Sequence, residues 1–370
     1  MVEEQETTFY LYLINAMNKS KQIKYLQKFF APKKARGMAG EISFADYLSI
    51  SDMPLSQKML AGSWIITPNK SDAVNSVNYR IAVFVLPHIF STRSDLDEFI
   101  KNLMLDRGHQ ALFSNLKKSG VGIIVSGAIG DLSDTPDDFS WSNFVYLDEK
   151  LVSQAENEPF ISLTRGRGRA NINHQPWDDD VTDRFKNFSD ESLLRLTLKQ
   201  AFYYSYLKVK LKASYIDPYD VDAFLVGFNG NVFPVEIKEK SRTDKEEFGI
   251  DAGRILMMMR LCITTDSNAL YIIREIDNSE TRNHIGYKFI TFSDMIMNVS
   301  WNLQAGGIGM GGGHTQTIMI TCKAFGDFSL DILKEEWIEK NCSLTINVKD
   351  KAAKFYRSLE KLLKNSGHES

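Results

Sequence analysis

The sequence predicts a mixed α/β chain, and three observations carry that expectation. Short runs rich in β-branched and apolar residues recur at 79–86, 121–126, 221–226, 232–238 and 269–276, each of strand length. Between them lie stretches whose apolar residues repeat at helical spacing. Asn229-Gly230 separates two of the strands and is a hairpin signal, so antiparallel pairing is combined with helix-linked crossovers.

In chain order, residues 7–30 read as an amphipathic helix, with Phe9, Leu13, Ala16, Met17 and Ile23 near helical spacing. A basic turn is expected at 32–37, Pro-Lys-Lys-Ala-Arg-Gly. The buried strand 79–86 precedes a helix at 94–118, interrupted near Gly108, and strand 121–126 follows. Residues 130–142, rich in Asp, Ser and Pro, read as a polar loop. Arg165-Gly-Arg-Gly-Arg169 and Trp177-Asp-Asp-Asp180 mark an irregular connection, where a division into domains 1–180 and 181–370 is placed. Ser189 is an N-cap for a helix over 190–211, with Asp190 and Glu191 in its first turn. Strands 221–226 and 232–238, a helix at 252–264, and strands 269–276 and 287–291 come next, so a mixed sheet flanked by helices is expected. A glycine-rich run at 306–313, a strand at 315–321 and a Lys-rich amphipathic helix at 349–364 close the chain.

Composition narrows the function. The chain has 370 residues, 43% hydrophobic and 25% charged, as in globular proteins. No window supplies the run of about eighteen apolar residues that a membrane span needs. The acidic start, Met1-Val-Glu-Glu-Gln-Glu, differs from a secretory signal. Three cysteines without CxxC spacing argue against structural zinc and a disulfide framework, so a reduced, cytoplasmic protein is expected. A net charge of -3 gives no bulk attraction to nucleic acid, which speaks against a coating role and leaves room for a local basic groove. Gly307-x-Gly309-x-x-Gly312 has a strand rather than a helix after it, and no GxxxxGK[ST] occurs; no nucleotide cofactor is expected.

The chemistry lies in Asp217-Pro-Tyr-Asp-Val-Asp222 and Val235-Glu236-Ile-Lys238-Glu-Lys240. Phosphodiester cleavage calls for a divalent metal that withstands phosphate charge and lowers the pKa of an attacking water. Magnesium prefers oxygen ligands and keeps several waters, so one or two carboxylates suffice, and a neighbouring lysine stabilises developing negative charge. Glu236, Lys238 and Lys240 share one strand face. Asp222 joins them only in one register. A two-residue turn at Asn229-Gly230 pairs Asp222 with Ile237, whereas a three-residue loop, 228–230 with Gly230 left-handed, pairs Asp222 with Glu236. The second register is predicted.

These residues resemble the PD-(D/E)XK nuclease superfamily, over about 190–295, in the order helix, strand with Asp, and strand with Glu-x-Lys. The resemblance implies a restriction-endonuclease-like core in 181–370, metal-dependent cleavage of double-stranded DNA, Asp222 and Glu236 as ligands of Mg2+ (Mn2+ as substitute), and Lys238 as the catalytic lysine. Pro218 is followed by Tyr219 rather than an aspartate, so Asp220 competes with Asp222 as the first ligand, and Glu191 on the preceding helix is a further candidate. Asp148-Glu149-Lys150 repeats the tripeptide without the strand context. The plain alternative for 232–240 is an edge strand with solvated Glu and Lys.

Arg165, Arg167, Arg169, Lys240 and Arg242 are candidate DNA contacts, since arginine and lysine neutralise backbone phosphates; a solvated linker and surface are the alternatives. Domain 1–180 is assigned to DNA recognition, and a homodimer is expected because two-fold protein symmetry matches a palindromic site. The leading expectation is a sequence-specific type II restriction enzyme. A structure-specific repair, junction or defence nuclease, and an inactive DNA-binding module of the same fold, are the alternatives.

Overall fold

A computed structural model of the chain describes residues 17–50, 59–68, 80–155, 159–160, 172–213, 215–227, 229–299, 303–308 and 314–365. The elements are α1 (Lys19–Phe29), α2 (Pro32–Ile50), β1 (Met59–Pro68), β2 (Arg80–Phe90), α3 (Arg93–Leu103), α4 (Arg107–Lys118), β3 (Val121–Ile129), β4 (Ser140–Leu147) and β5 (Lys150–Ser153). Then come α5 (Asp179–Asn187), α6 (Asp190–Ala201) running on as a π-helix (Phe202–Lys210), β6 (Tyr215–Val226), β7 (Val232–Lys240), β8 (Glu247–Asp251), α7 (Ala252–Thr265) and β9 (Leu270–Ile276). β10 (His284–Thr291), α8 (Phe292–Asn298), β11 (Leu303–Ile308), β12 (His314–Thr321), β13 (Gly326–Asp327), α9 (Glu335–Asn341) and α10 (Ile346–Asn365) complete the chain. The protein is mixed α/β, and among the described residues no helix is long and apolar enough to cross a membrane.

The chain forms two compact units. One takes Met1–Ile50, Val83–Leu103 and Ile124–Tyr215, the other Ser51–Ala82, Met104–Ile123 and Ile216–Ser370. Neither is a continuous half of the sequence: residue 180 falls within α5, inside the first unit.

In the first unit the segment read as a basic turn is the start of a nineteen-residue helix. Pro32 occupies the first turn, where its missing N–H costs nothing, and Ala35, Met38, Ala39 and Ile42 are all buried at helical spacing. The basic residues merely mask that stripe. Ser189 caps α6 as expected, its hydroxyl accepting from Ser192 N–H at 3.2 Å. Trp141, Phe160, Phe202 and Tyr206 pack ring to ring, which seats the π-helix against β4. Part of the expected polar loop is β4, antiparallel to β3 and β5. Asp148 and Glu149, at φ 45° and 61°, turn the β4–β5 hairpin. That explains the isolated Asp-Glu-Lys: it is a hairpin tip.

The second unit holds the strand order β13-β10-β9-β7-β6-β1. β6 and β7 are antiparallel, β9 and β10 are antiparallel, and β7 runs parallel to β9. A parallel pair needs a crossover, and the link from β7 to β9 supplies it through β8 and α7. A second antiparallel sheet, β11-β12-β8, lies apart from the first. Its Phe248, Ile250, Ile318 and Ile320 share a core with Met258, Met259 and Cys262 of α7 and with Val348 and Phe355 of α10. Met258 and Met259 of α7 are thus core filling, and part of the glycine-rich run is strand β11; residues 309–313 lie outside the described set.

Candidate active site

The β6–β7 ladder decides whether a site exists. It pairs Ala223 with Val235, Phe224 with Pro234, Leu225 with Phe233 and Val226 with Val232. Gly227 N–H donates to the Asn231 carbonyl at 2.8 Å, and Gly230 takes φ +79°; residue 228 of the expected loop lies outside the described residues. Extended by one step, this register sets Asp222 opposite Glu236. Glycine at 230 permits the left-handed turn, so one residue at the loop selects the face on which the acids meet.

Three side chains then converge. Asp222 Oδ2 accepts from Ile237 N–H at 2.7 Å and lies 3.1 Å from Lys238 Nζ. Lys238 Nζ is 2.8 Å from Glu236 Oε1 and donates to its neighbour's carbonyl, Ile237 O, at 2.8 Å. One ammonium therefore bridges two carboxylates from adjacent strands. The acids are deeply placed, with side chains 3% (Asp222) and 0% (Glu236) exposed.

Two residues absent from the expected set complete the cluster. Tyr219 O–H donates to Glu236 Oε2 at 3.2 Å. Arg254 Nε lies 3.4 Å from Glu236 Oε1, its Nη1 reaches the Asp220 carbonyl at 3.4 Å, and its guanidinium sits 5.3 Å from the centre of the Tyr219 ring. Arg254 is placed by Asp251, whose carboxylate caps α7 by accepting from Arg254 N–H at 3.0 Å. A cation in the first turn runs against the helix dipole, and that anomaly was the available signal for Arg254. From the other side β1 passes β6 so closely that a Cβ on Gly62 would collide with the carbonyls of Val221 and Asp222.

Burial raises the Glu236 carboxyl above its ordinary range; Arg254 opposes this, and the Asp222 charge adds to it. Arg254 is held firmly as a cation: burial disfavours its charge, but Glu236, Tyr219 and Asp222 outweigh it. Burial, then Glu236, hold the Tyr219 phenol neutral. Two buried carboxylates face two partly exposed cations. The residues fit a divalent ion, because the Lys238 ammonium already acts as a cation shared by Asp222 and Glu236, and an all-oxygen pair of this kind suits magnesium.

The remaining expected residues separate into groups. Asp220 is half-buried on β6, two positions before Asp222 and hence on the same strand face. Glu191 lies in the first turn of α6, in the other unit, paired with Arg195 at 3.0 Å. Arg165, Arg167 and Arg169 lie outside the described residues. Lys240 ends β7, with Glu275 of β9 as its Cα partner. Arg242 bonds to the fully buried Glu275 carboxylate and, at 2.8 Å, to Glu246; these two carboxylates raise its pKa further. Its guanidinium is committed to protein carboxylates, a role that no local sequence pattern distinguishes from a phosphate contact.

No protein-family model matches the chain, and neither does any curated protein or solved structure.

Proposed function

We propose that the protein is a magnesium-dependent endonuclease acting on double-stranded DNA, with Asp222 and Glu236 as metal ligands and Lys238 as the catalytic lysine. The observation that carries this reading is the convergence of two buried carboxylates from neighbouring strands on one ammonium group. Like charges brought together in a dry site are costly unless a cation is shared, and such clusters concentrate at functional positions.

When bound, the metal supplies charge for the phosphate and an acidified water. Asp222, fixed by the Ile237 N–H, and Glu236, fixed by Tyr219, present oxygen atoms from a rigid sheet. Lys238, its side chain 21% exposed, would orient the nucleophilic water through its ammonium and stabilise developing negative charge. The restriction-endonuclease-like core, the homodimer and a cytoplasmic setting belong to the same proposal, the last supported by free Cys262, Cys322 and Cys342. Plasmid incubated with the purified protein and magnesium should be cut, and Lys238→Ala should lose that activity; equal cutting by the variant rejects the assigned role.

One observation favours a second reading. Both acids already have cationic partners, Lys238 and Arg254, as in a catalytically silent ion cluster of a DNA-binding module. Titration with magnesium or manganese separates the two, because the silent cluster takes up no metal.

A further inference from the structure

The charges of the cluster are layered. Glu236 and Asp222 are 0% and 3% exposed, whereas Lys238 and Arg254 are 21% and 29% exposed. The two cationic side chains are therefore the more accessible members of the cluster. Accessible positive charge favours an anionic ligand.

Arg254 is also loosely tethered. Its contacts with Glu236 and the Asp220 carbonyl are both 3.4 Å, long for hydrogen bonds. Arg274, by contrast, donates to buried Glu239 at 2.7 Å on the same sheet. A guanidinium presents a planar fork that matches two phosphate oxygens, and the Tyr219 ring beneath it supports that plane.

We infer that Arg254 is a phosphate-binding residue of this site, resting against Glu236 until a phosphodiester oxygen takes its guanidinium. The inference depends on the nuclease reading for its substrate class and adds an exchange to it. Arg254 leaves Glu236 for the phosphate, and the carboxylate that loses its counter-ion is one of the two assigned to the metal. Phosphate and divalent ion therefore bind with positive coupling, each removing what opposes the other.

The test uses full-length wild type, Arg254→Gln and Arg254→Lys, each titrated separately with inorganic phosphate and with Mn2+ by calorimetry. Arg254→Gln should weaken phosphate binding by about tenfold or more, the factor carried by a charge-assisted hydrogen bond. The same variant should tighten Mn2+ binding, in the absence of phosphate, on the order of fivefold, because Glu236 has lost a competitor. Arg254→Lys keeps the charge without the fork and should show a smaller loss for phosphate. Opposite signs for the two ligands cannot arise from a loosened fold. Phosphate binding that is absent in wild type, or unchanged in Arg254→Gln, overturns the inference, as does weakening of both ligands together in the two variants. No Mn2+ uptake by any form, with phosphate still lost in Arg254→Gln, would reject the nuclease reading and leave the phosphate role standing.

Discussion

Strand β7 carries two buried glutamates, and their surroundings differ in kind. Glu239 is 1% exposed and is held by two guanidinium groups, Arg274 at 2.7 Å and Arg282 at 3.2 Å. Three residues earlier, Glu236 shares its cations with a second carboxylate, Asp222. In the first cluster one acid faces two cations, an arrangement that satisfies buried charge and needs nothing more. In the second, two acids converge on one ammonium, with Arg254 further away. Two carboxylates this close make it harder to ionise both, so a second carboxylate beside the first, rather than burial alone, marks the candidate site.

That contrast can be broken most sharply by activity. Glu236→Gln and Asp222→Asn should each lower magnesium-dependent DNA cleavage by at least a few hundredfold, the order seen when one charge-stabilising group is removed. Glu239→Gln should leave the cleavage rate within a few-fold of wild type. Equal losses at 236 and 239 would erase the distinction.

Stability should respond in the opposite sense. Glu239→Ala strands Arg274, which is 13% exposed, and should cost about 3–5 kcal/mol in urea unfolding. Gly62→Ala forces β1 away from the Val221 and Asp222 carbonyls. It should cost about 1–3 kcal/mol, as overpacking does, and should also reduce cleavage by moving Asp222. Wild-type stability in Gly62→Ala would show that β1 gives way freely there.

The smallest effect concerns pH. The Glu236 carboxyl is raised by burial, so the folded protein holds its proton more tightly than the unfolded chain does. Its contribution to stability is complete below the unfolded value, about 4.5, and declines as pH rises from there through the raised folded value. The difference in unfolding free energy between wild type and Glu236→Gln should fall across that window, with a slope no steeper than about 1.4 kcal/mol per pH unit. The proposed cleavage, which would use the ionised carboxylate, should fall as pH drops through the same window. A flat difference would show that Arg254 cancels the burial effect.

The contrast between 236 and 239 was only half legible in the sequence. Local rules reached the hairpin: Gly230 permits the left-handed turn and the register follows, so Asp222, Glu236 and Lys238 could be brought together from spacing. The cap at Ser189 and the helix–strand alternation after it are equally local. What was missed is long-range. Arg254 reaches Glu236 across eighteen positions of sequence, and Arg242 finds Glu275 only because β7 and β9 run parallel. Helix α2 was hidden because Pro32 and Gly37 are turn-forming residues until a core stands ready for Ala35, Met38 and Ile42. The β11-β12-β8 sheet depends on pairing between segments more than fifty residues apart, which no single window contains.

Whether Asp222 and Glu236 together hold one divalent ion can be read by titrating Mn2+ into wild type, Glu236→Gln and Glu239→Gln under identical conditions. Wild type and Glu239→Gln should take up the ion, with uptake lost or weakened at least tenfold in Glu236→Gln, as expected when a charged ligand is removed. Equal binding by all three, or binding by none, would contradict that expectation.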